Sequence, residues 1–247
     1  RDVLGSRGLG DVYKRQGQVT PMKLYYLYHS GVAVETENHL LIFDYYQDAL
    51  PGGVPALLQR VKKPVTVFAS HSHYDHFNRT ILTWKEAFPD ITYVLSDDIP
   101  PVDGCHRIGP RRTLELPGLT VSTLRSTDQG VAFVVTCDGH TIYHSGDLHW
   151  WHWSGEPDRD NQAMETAYKR EMDRLAGVHL DVAFLPVDPR QEADGLRGIE
   201  YFAAHNDCPC LVPIHYSWDP SILETLQQTP GPWQGRLCIL DDRPREV

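Results

Sequence analysis

The sequence is short of several features that would assign it to common functional classes. Its apolar runs fall well below the ~20 residues of a membrane-spanning helix. The formal net charge is −10 over 247 residues, and Lys and Arg form no cluster of the kind that neutralises nucleic acid phosphates. We therefore expect neither a membrane nor a nucleic acid as a partner of this chain.

Cysteine is also scarce, with five residues in the whole chain. An odd number without regular spacing does not predict a disulfide framework. Free thiols are typical of a reducing cytosol, so we expect a cytoplasmic protein. Cys208 and Cys210 are separated by one residue, whereas common zinc knuckles have a two-residue gap, and we interpret this pair as structural.

The length predicts a single domain with a large core. The first 16 residues carry Gly, Arg and Lys without periodicity and resemble translated sequencing-adapter tails. We predict that residues 1–21 are a non-native or disordered extension. The folded domain is then predicted to span residues 22–247.

Short apolar runs alternate with helical patterns along this domain. Period-2 and continuous apolar runs predict strands at 23–28, 32–36, 40–44, 65–69, 92–95, 119–124, 131–136, 141–144, 182–186, 211–214 and 237–240. The dipeptide Asp138-Gly139 predicts a hairpin between two of them. Helical periodicity is found at 79–88, 161–175, 196–205 and 220–228.

The most informative segment holds three histidines and an aspartate within six residues. His71, His73, Asp75 and His76 lie in the string HSHYDH, directly after the short apolar run 65–70. Burying such groups without partners costs a few kcal/mol each, whereas imidazole and carboxylate are good Zn²⁺ ligands. The string therefore predicts a metal site on a loop after a strand; the alternative is a chance histidine cluster on a surface turn.

Two later strand ends carry the same residue types. The run 141–144 leads into Gly146-Asp147, and the run 211–214 leads directly to His215. Each of these signals is weak alone. Three strand-to-loop junctions with metal-ligand residues are a stronger indication of one shared site.

Together these junctions resemble the metallo-β-lactamase superfamily, whose pattern is HxHxDH, a lone His, Gly-Asp and a late His. Residues 24–45 look like the opening hairpin of the branch that contains L-ascorbate-6-phosphate lactonase. The resemblance implies a four-layer αββα sandwich of the α/β (α+β) class. It also implies one or two Zn²⁺ ions, with Mn²⁺ or Fe²⁺ as other metals.

The resemblance further divides the ligands between two metal positions. It assigns His71 and His73 to the first position, Asp75, His76 and His215 to the second, and Asp147 to both. The family's lone histidine falls at about Ser126, so the first position is one ligand short. Asp128, His149 or His152 could supply the missing ligand.

Other residues near these motifs are candidates for substrate contact or for support of the ligands. The segment 148–153, LHWWHW, either lines a pocket, Trp150 included, or covers the edge of the sheet. His144 is interpreted as a packed supporting residue, with direct ligation of the metal as the alternative, and His29 could stand near the cleft. Arg190 could bind a substrate carboxylate or phosphate with two hydrogen bonds, or it pairs with an acid on the surface.

The sequence therefore predicts a metal-dependent hydrolase of small molecules. The metal would activate water for attack on an ester, lactone or phosphoester, with Asp147 holding the metal and Asp75 orienting the water. The alternative is a metal-binding sensor or interaction protein of the same fold, with a degenerate first position and little hydrolysis. A homo-oligomer is compatible with the sequence.

Overall fold

The computed structural model describes residues 19–247. Most of the predicted extension, residues 1–18, lies outside the described residues. Strands β1 to β13 span Lys23–Tyr28, Gly31–Glu35, Leu40–Phe43, Val65–Ala69, Thr92–Ser96, His106–Ile108, Thr113–Leu116, Leu119–Arg125, Val131–Cys137, His140–His144, Val182–Pro186, Leu211–Ile214 and Arg245–Glu246. Helices α1 to α4 span Gly53–Val61, Asp158–Asp173, Arg197–His205 and Ile222–Gln228, and two 3₁₀ helices span Arg79–Glu86 and Pro189–Leu196.

The strands form two sheets that each combine parallel and antiparallel pairs. The first sheet has the order β13-β1-β2-β3-β4-β5-β6, and the second has the order β12-β11-β10-β9-β8-β7. Strands β3 to β6 run parallel, and so do β10 to β12. Because the carboxyl ends of parallel strands meet at one edge, the loops after them can gather side chains there.

Alternating side chains divide the core into three hydrophobic clusters. In β3, Leu41 and Phe43 pack against the second sheet, whereas Leu40 and Ile42 pack on the outer side with α1. Helices α2 to α4 cover the outer face of the second sheet. Strands buried on both faces read as continuous apolar runs, as β3 does. The predicted four-layer αββα sandwich is confirmed.

A few elements differ from the sequence prediction. The segment 237–240 is not a strand, because its pairing with Leu211 stops at an isolated bridge. Helix α1 was not predicted, since its segment opens with glycines and contains Pro55. Pro55 lies in the first helical turn, where a missing backbone N–H breaks no helical bond.

The longest helix in the described part of the chain is α2. It has 16 residues and carries acidic and basic side chains along its length. Within residues 19–247, no helix combines the length and the apolar character needed to cross a membrane.

The backbone at the ligand-bearing edge adopts an uncommon conformation. His29, Asp44 and His215 follow the ends of β1, β3 and β12, and they have φ angles of 56°, 47° and 68°. Such left-handed residues cost about 1–3 kcal/mol each and persist where the surrounding structure holds them. The strand ends at this edge are therefore held in place to direct particular side chains.

Candidate metal centre

Asp147 lies at the centre of a cluster of buried side chains. Its Oδ1 atom is 3.1 Å from Nε2 of His76 and 3.2 Å from Nε2 of His215. Its Oδ2 atom is 3.4 Å from Nε2 of His71. The two carboxylate oxygens thus face two different groups of imidazoles, which is the arrangement that a bridging ligand needs.

The first group consists of His71, His73, Asp128 and Asp147, whose ligand atoms lie within 4.8 Å of one another. Nε2 of His71 is 3.1 Å from Nδ1 of His73, and that Nδ1 is 3.7 Å from Oδ2 of Asp128. Asp128 reaches the group because Ser126 Oγ accepts a hydrogen bond from the Asp128 amide in a tight turn. Ser126 itself contributes no ligand atom, and the aspartate stands where the sequence lacks a histidine.

The second group consists of His29, Asp75, His76 and His215, again within 4.8 Å. Oδ2 of Asp75 is 3.2 Å from Nε2 of His29, 3.5 Å from Nε2 of His76 and 3.9 Å from Nε2 of His215. The structure thus brings together all six residues of the predicted ligand set. Their role as ligands stays a prediction.

Two buried carboxylates behind the cluster orient its imidazoles. Asp44 accepts a hydrogen bond of 2.7 Å from Nδ1 of His76, and Asp188 accepts one of 3.1 Å from Nδ1 of His215. With Nδ1 as the donor, each ring presents the lone pair of Nε2 to the cluster. Neither role was predicted from the sequence, although each acid closely follows a strand.

The electrostatics of the cluster favour positive charge. Burial works against protonation of His76, but the Asp147 carboxylate, with Asp44, raises its pKa well above the usual range. Burial likewise opposes ionisation of Asp147, but His76 and His215 hold its pKa well below normal. Burial also disfavours the Asp75 carboxylate, yet His29 and His76 lower its pKa to about 2. The nearby carboxylates would therefore stabilise either a proton or a metal cation bound at the cluster.

Four atoms of the cluster are buried without a hydrogen-bond partner. They are Nε2 of His29, His76 and His215, and Oδ1 of Asp147. Buried polar atoms without partners are uncommon and costly in folded proteins. A divalent metal would satisfy all four, and nitrogen and carboxylate oxygen donors suit Zn²⁺, Mn²⁺ or Fe²⁺. The residues present therefore fit a metal.

His144 supports the loop that carries Asp147. Its Nδ1 accepts a hydrogen bond from the Gly146 amide, and its Nε2 donates to the Ser30 carbonyl oxygen. The ring also stacks on Phe43, with 5.1 Å between the ring centroids. His144 thus lies packed behind the cluster, and its supporting role stays a prediction.

Neither His149 nor His152 supplies the missing ligand, which corrects one expectation. Nε2 of His149 donates to Oε1 of Gln191, and its Nδ1 side lies against Gly198. Nε2 of His152 lies 3.9 Å from a carboxylate oxygen of Asp194. Both rings are directed away from the cluster by these neighbours.

A cleft of about 520 Å³ opens onto the cluster. Trp151, Trp153 and Trp218 line it, together with Arg190. Trp150 lies outside the cleft, because its ring packs on Tyr168 and under the Lys169 ammonium group. Of the two alternatives that the sequence left open for this segment, lining of the cleft does not hold for Trp150, whereas Trp151 and Trp153 do line it.

Arg190 takes one of the two roles that the sequence left open, the pairing with an acid. Its Nε and Nη2 atoms donate to the carboxylate of Asp188, the acid that holds His215. Its guanidinium carbon also lies 4.5 Å from the centroid of the Trp218 ring. The arginine thus pairs with an acid, stacks on an indole and borders the cleft at the same time.

The fold and the cluster define a class of protein: a four-layer sandwich with metal-ligand residues on the loops at one edge. Residues 23–192 match the family model described as the β-lactamase superfamily domain. The chain belongs to the metallo-β-lactamase superfamily.

Relatives with related sequences carry the name UPF0173 metal-dependent hydrolase. The protein from Methanosphaerula palustris is 28% identical over 220 residues, covering 81% of this chain and 86% of its own length. The one from Alkaliphilus metalliredigens is 25% identical and covers 81% and 88%. No comparison singles out the lactonase-like branch.

A solved structure shares the fold over most of both chains. Igni18, a metallo hydrolase from Ignicoccus hospitalis, superposes with a TM-score of 0.67 at 20% identity, over 92% of this chain and 99% of its own. At this level of identity the likeness concerns the fold.

Proposed function

We propose that this chain is a metal-dependent hydrolase that acts on small molecules. The observation that carries the proposal is the convergence of four partnerless buried ligand atoms on one point beside an open cleft. The names of the sequence relatives, metal-dependent hydrolases, support it. We propose Zn²⁺ as the metal, with Mn²⁺ or Fe²⁺ as alternatives.

The residues divide between two metal positions. His71, His73 and Asp128 would hold the first metal, Asp75, His76 and His215 the second, and Asp147 would bridge both. When bound, a divalent metal supplies Lewis acidity and lowers the pKa of a water ligand towards neutrality.

The catalytic roles fall to two carboxylates. Asp147 would set the separation of the two positions, since its oxygens face different imidazoles. Asp75 lines the cleft and can hold the reacting water by accepting a hydrogen bond from it. His76 and His215 are locked from behind by buried acids, which keeps the arrangement rigid during the reaction.

The cleft supports a substrate with both a flat or apolar part and a hydrolysable ester, lactone or phosphoester group. Three indole rings border the cleft, and indoles favour apolar and ring-shaped ligands. Nε and Nη2 of Arg190 donate hydrogen bonds to Asp188, which leaves Nη1 for an anionic group of the substrate. We propose a cytoplasmic location, because all five cysteines are free thiols.

The proposal is tested with purified protein and a panel of chromogenic esters, lactones and phosphodiesters. We expect bound metal by elemental analysis, and hydrolysis of at least one substrate class that chelation abolishes. The variant Asp147→Ala is expected to lose both. Turnover that survives chelation would contradict the proposal.

A second candidate is a metal-binding protein with little hydrolytic activity. The observation that favours it is the first group, where half-exposed Asp128 stands in place of a buried imidazole. Metal bound at full stoichiometry without turnover across the same panel would support this candidate over the hydrolase.

A further inference from the structure

We infer that His29 is a direct ligand of the second metal, joining Asp75, His76 and His215. The inference rests on the proposed function, since it concerns the metal on which that function depends. The superfamily pattern of ligand motifs has no residue at this place in the chain. The ring of His29 is buried and directed towards the second position in the same way as the rings of His76 and His215.

The backbone holds His29 firmly against the second position. The residue is fully buried at the end of β1. Its amide donates to the hydroxyl of Tyr26, and its carbonyl oxygen accepts a hydrogen bond from the amide of His215. The strand end that carries His29 is thereby tied to the strand end that carries His215.

The ring of His29 presents Nε2 to the cluster, as its neighbours do. Its Nδ1 lies 2.7 Å from Oγ of Ser217, in the position that Asp44 takes for His76 and Asp188 takes for His215. Hydrogen bonding of Nδ1–H to an outer oxygen leaves the lone pair of Nε2 directed inward.

The Nε2 atom of His29 has the distances of a co-ligand. Two donors about 2.0–2.2 Å from one ion, at the bond angles of about 90–120° found in a five-coordinate site, lie about 2.8–3.8 Å apart. The observed separations from Oδ2 of Asp75 are 3.2 Å for His29 and 3.5 Å for His76. Nε2 of His29 is also a buried atom without a hydrogen-bond partner, as are Nε2 of His76 and Nε2 of His215.

Adding His29 makes the two metal positions unequal. The second would have five protein ligands, counting the shared Asp147, and little room for water. The first would have His71, His73, Asp128 and Asp147, with two of these side chains, His73 and Asp128, each 41% exposed beside the cleft. The first position would then be the one open to the reacting water, and a metal at the second would mainly hold its ligand residues together.

The first test is metal affinity, measured by competition with a chelator. We expect His29→Ala to weaken one of two metal equivalents by more than about 100-fold, beyond the about 10–100-fold loss that removal of an outer partner causes. The matched control is Ser217→Ala, which removes only the partner of Nδ1 and is expected to stay within that smaller range. Equal, small effects of the two substitutions would overturn the inference.

The second test needs no variant and so survives a failure of His29→Ala to fold. In a crystal structure of the zinc-loaded wild-type chain, we expect Nε2 of His29 about 2.0–2.1 Å from the second metal. A metal held by the other residues, with His29 outside bonding distance, would overturn the inference and leave the proposed function standing. A wild-type protein that binds no metal would overturn the proposed function itself.

Discussion

Replacing Asp44 by asparagine removes one negative charge from beneath the proposed second metal without changing side-chain size. The Asp44 carboxylate accepts three hydrogen bonds, from the Ser70 amide at 2.7 Å, from the Ser70 hydroxyl at 2.6 Å and from Nδ1 of His76 at 2.7 Å. An asparagine amide group in either orientation would point a donor at one of these donors. The network then cannot be satisfied in full.

The cost falls on both stability and metal binding. A hydrogen bond to a charged group contributes about 1.5–3 kcal/mol, so we expect Asp44→Asn to lower the free energy of unfolding by about that amount. His76 can relieve the clash by moving its proton to Nε2, but this blocks the lone pair that faces the cluster. We therefore expect metal affinity to fall about 10- to 100-fold, as for other partners of ligating histidines.

The assay is chelator competition alongside thermal unfolding, with Asp138→Asn as the matched control. Asp138 accepts comparable hydrogen bonds from Thr36 and Asn38 in a hairpin outside both ligand groups. We expect the control to lose stability and keep its metal affinity. Equal metal affinities in wild type, Asp44→Asn and Asp138→Asn would refute the reasoning.

Three further predictions concern the cleft, the first position and pH. Trp218→Ala is expected to raise KM for the accepted substrate, as measured by steady-state kinetics. Trp150→Ala removes a ring packed outside the cleft, so we expect it to lower Tm in thermal melts and to leave KM unchanged. Asp128→Ala is expected to lower bound metal by elemental analysis after dialysis, and unchanged stoichiometry would exclude it as a ligand. Because the folded-state pKa values of His76 and His215 are raised above 6.5, the stabilisation they give the metal-free protein is fully present below pH 6.5. This stabilisation is lost as pH rises through the raised pKa values. Metal affinity increases over the same pH range, because a bound metal displaces those protons. A Tm of the metal-free protein that increases through this range would contradict the assignment.

The sequence was a good guide where one strand end carries several ligand residues. The string from His71 to His76 begins two residues after the last residue of β4, and the apolar runs before Asp147 and His215 mark strands buried on both faces. Burial on both faces produces an unbroken apolar pattern, so such strands and the loops after them are readable without knowledge of the fold.

The supporting residues could not be found in this way, because their roles depend on which strands are neighbours. Asp44 reaches His76 only because β3 and β4 pair in parallel, and Asp188 reaches His215 only because β11 and β12 do. Each is a single acid at a strand end, with no local pattern.

Side-chain direction within a loop was equally hidden. Trp150 and Trp151 are adjacent in sequence, yet one packs under α2 and the other lines the cleft. Likewise, nearness in sequence suggested His149 as a ligand, whereas Nε2 of its ring donates a hydrogen bond to Gln191. Directions of this kind are set by tertiary packing.

The most direct test of the account is to titrate Zn²⁺ into metal-free protein while following hydrolysis of the best substrate in the panel. We predict no turnover without metal, a rate that rises with added Zn²⁺ until the two positions are filled, and no recovery in Asp147→Ala. Hydrolysis by the metal-free protein, or full recovery in the variant, would contradict the claim that this cluster of histidines and aspartates performs the reaction through bound metal.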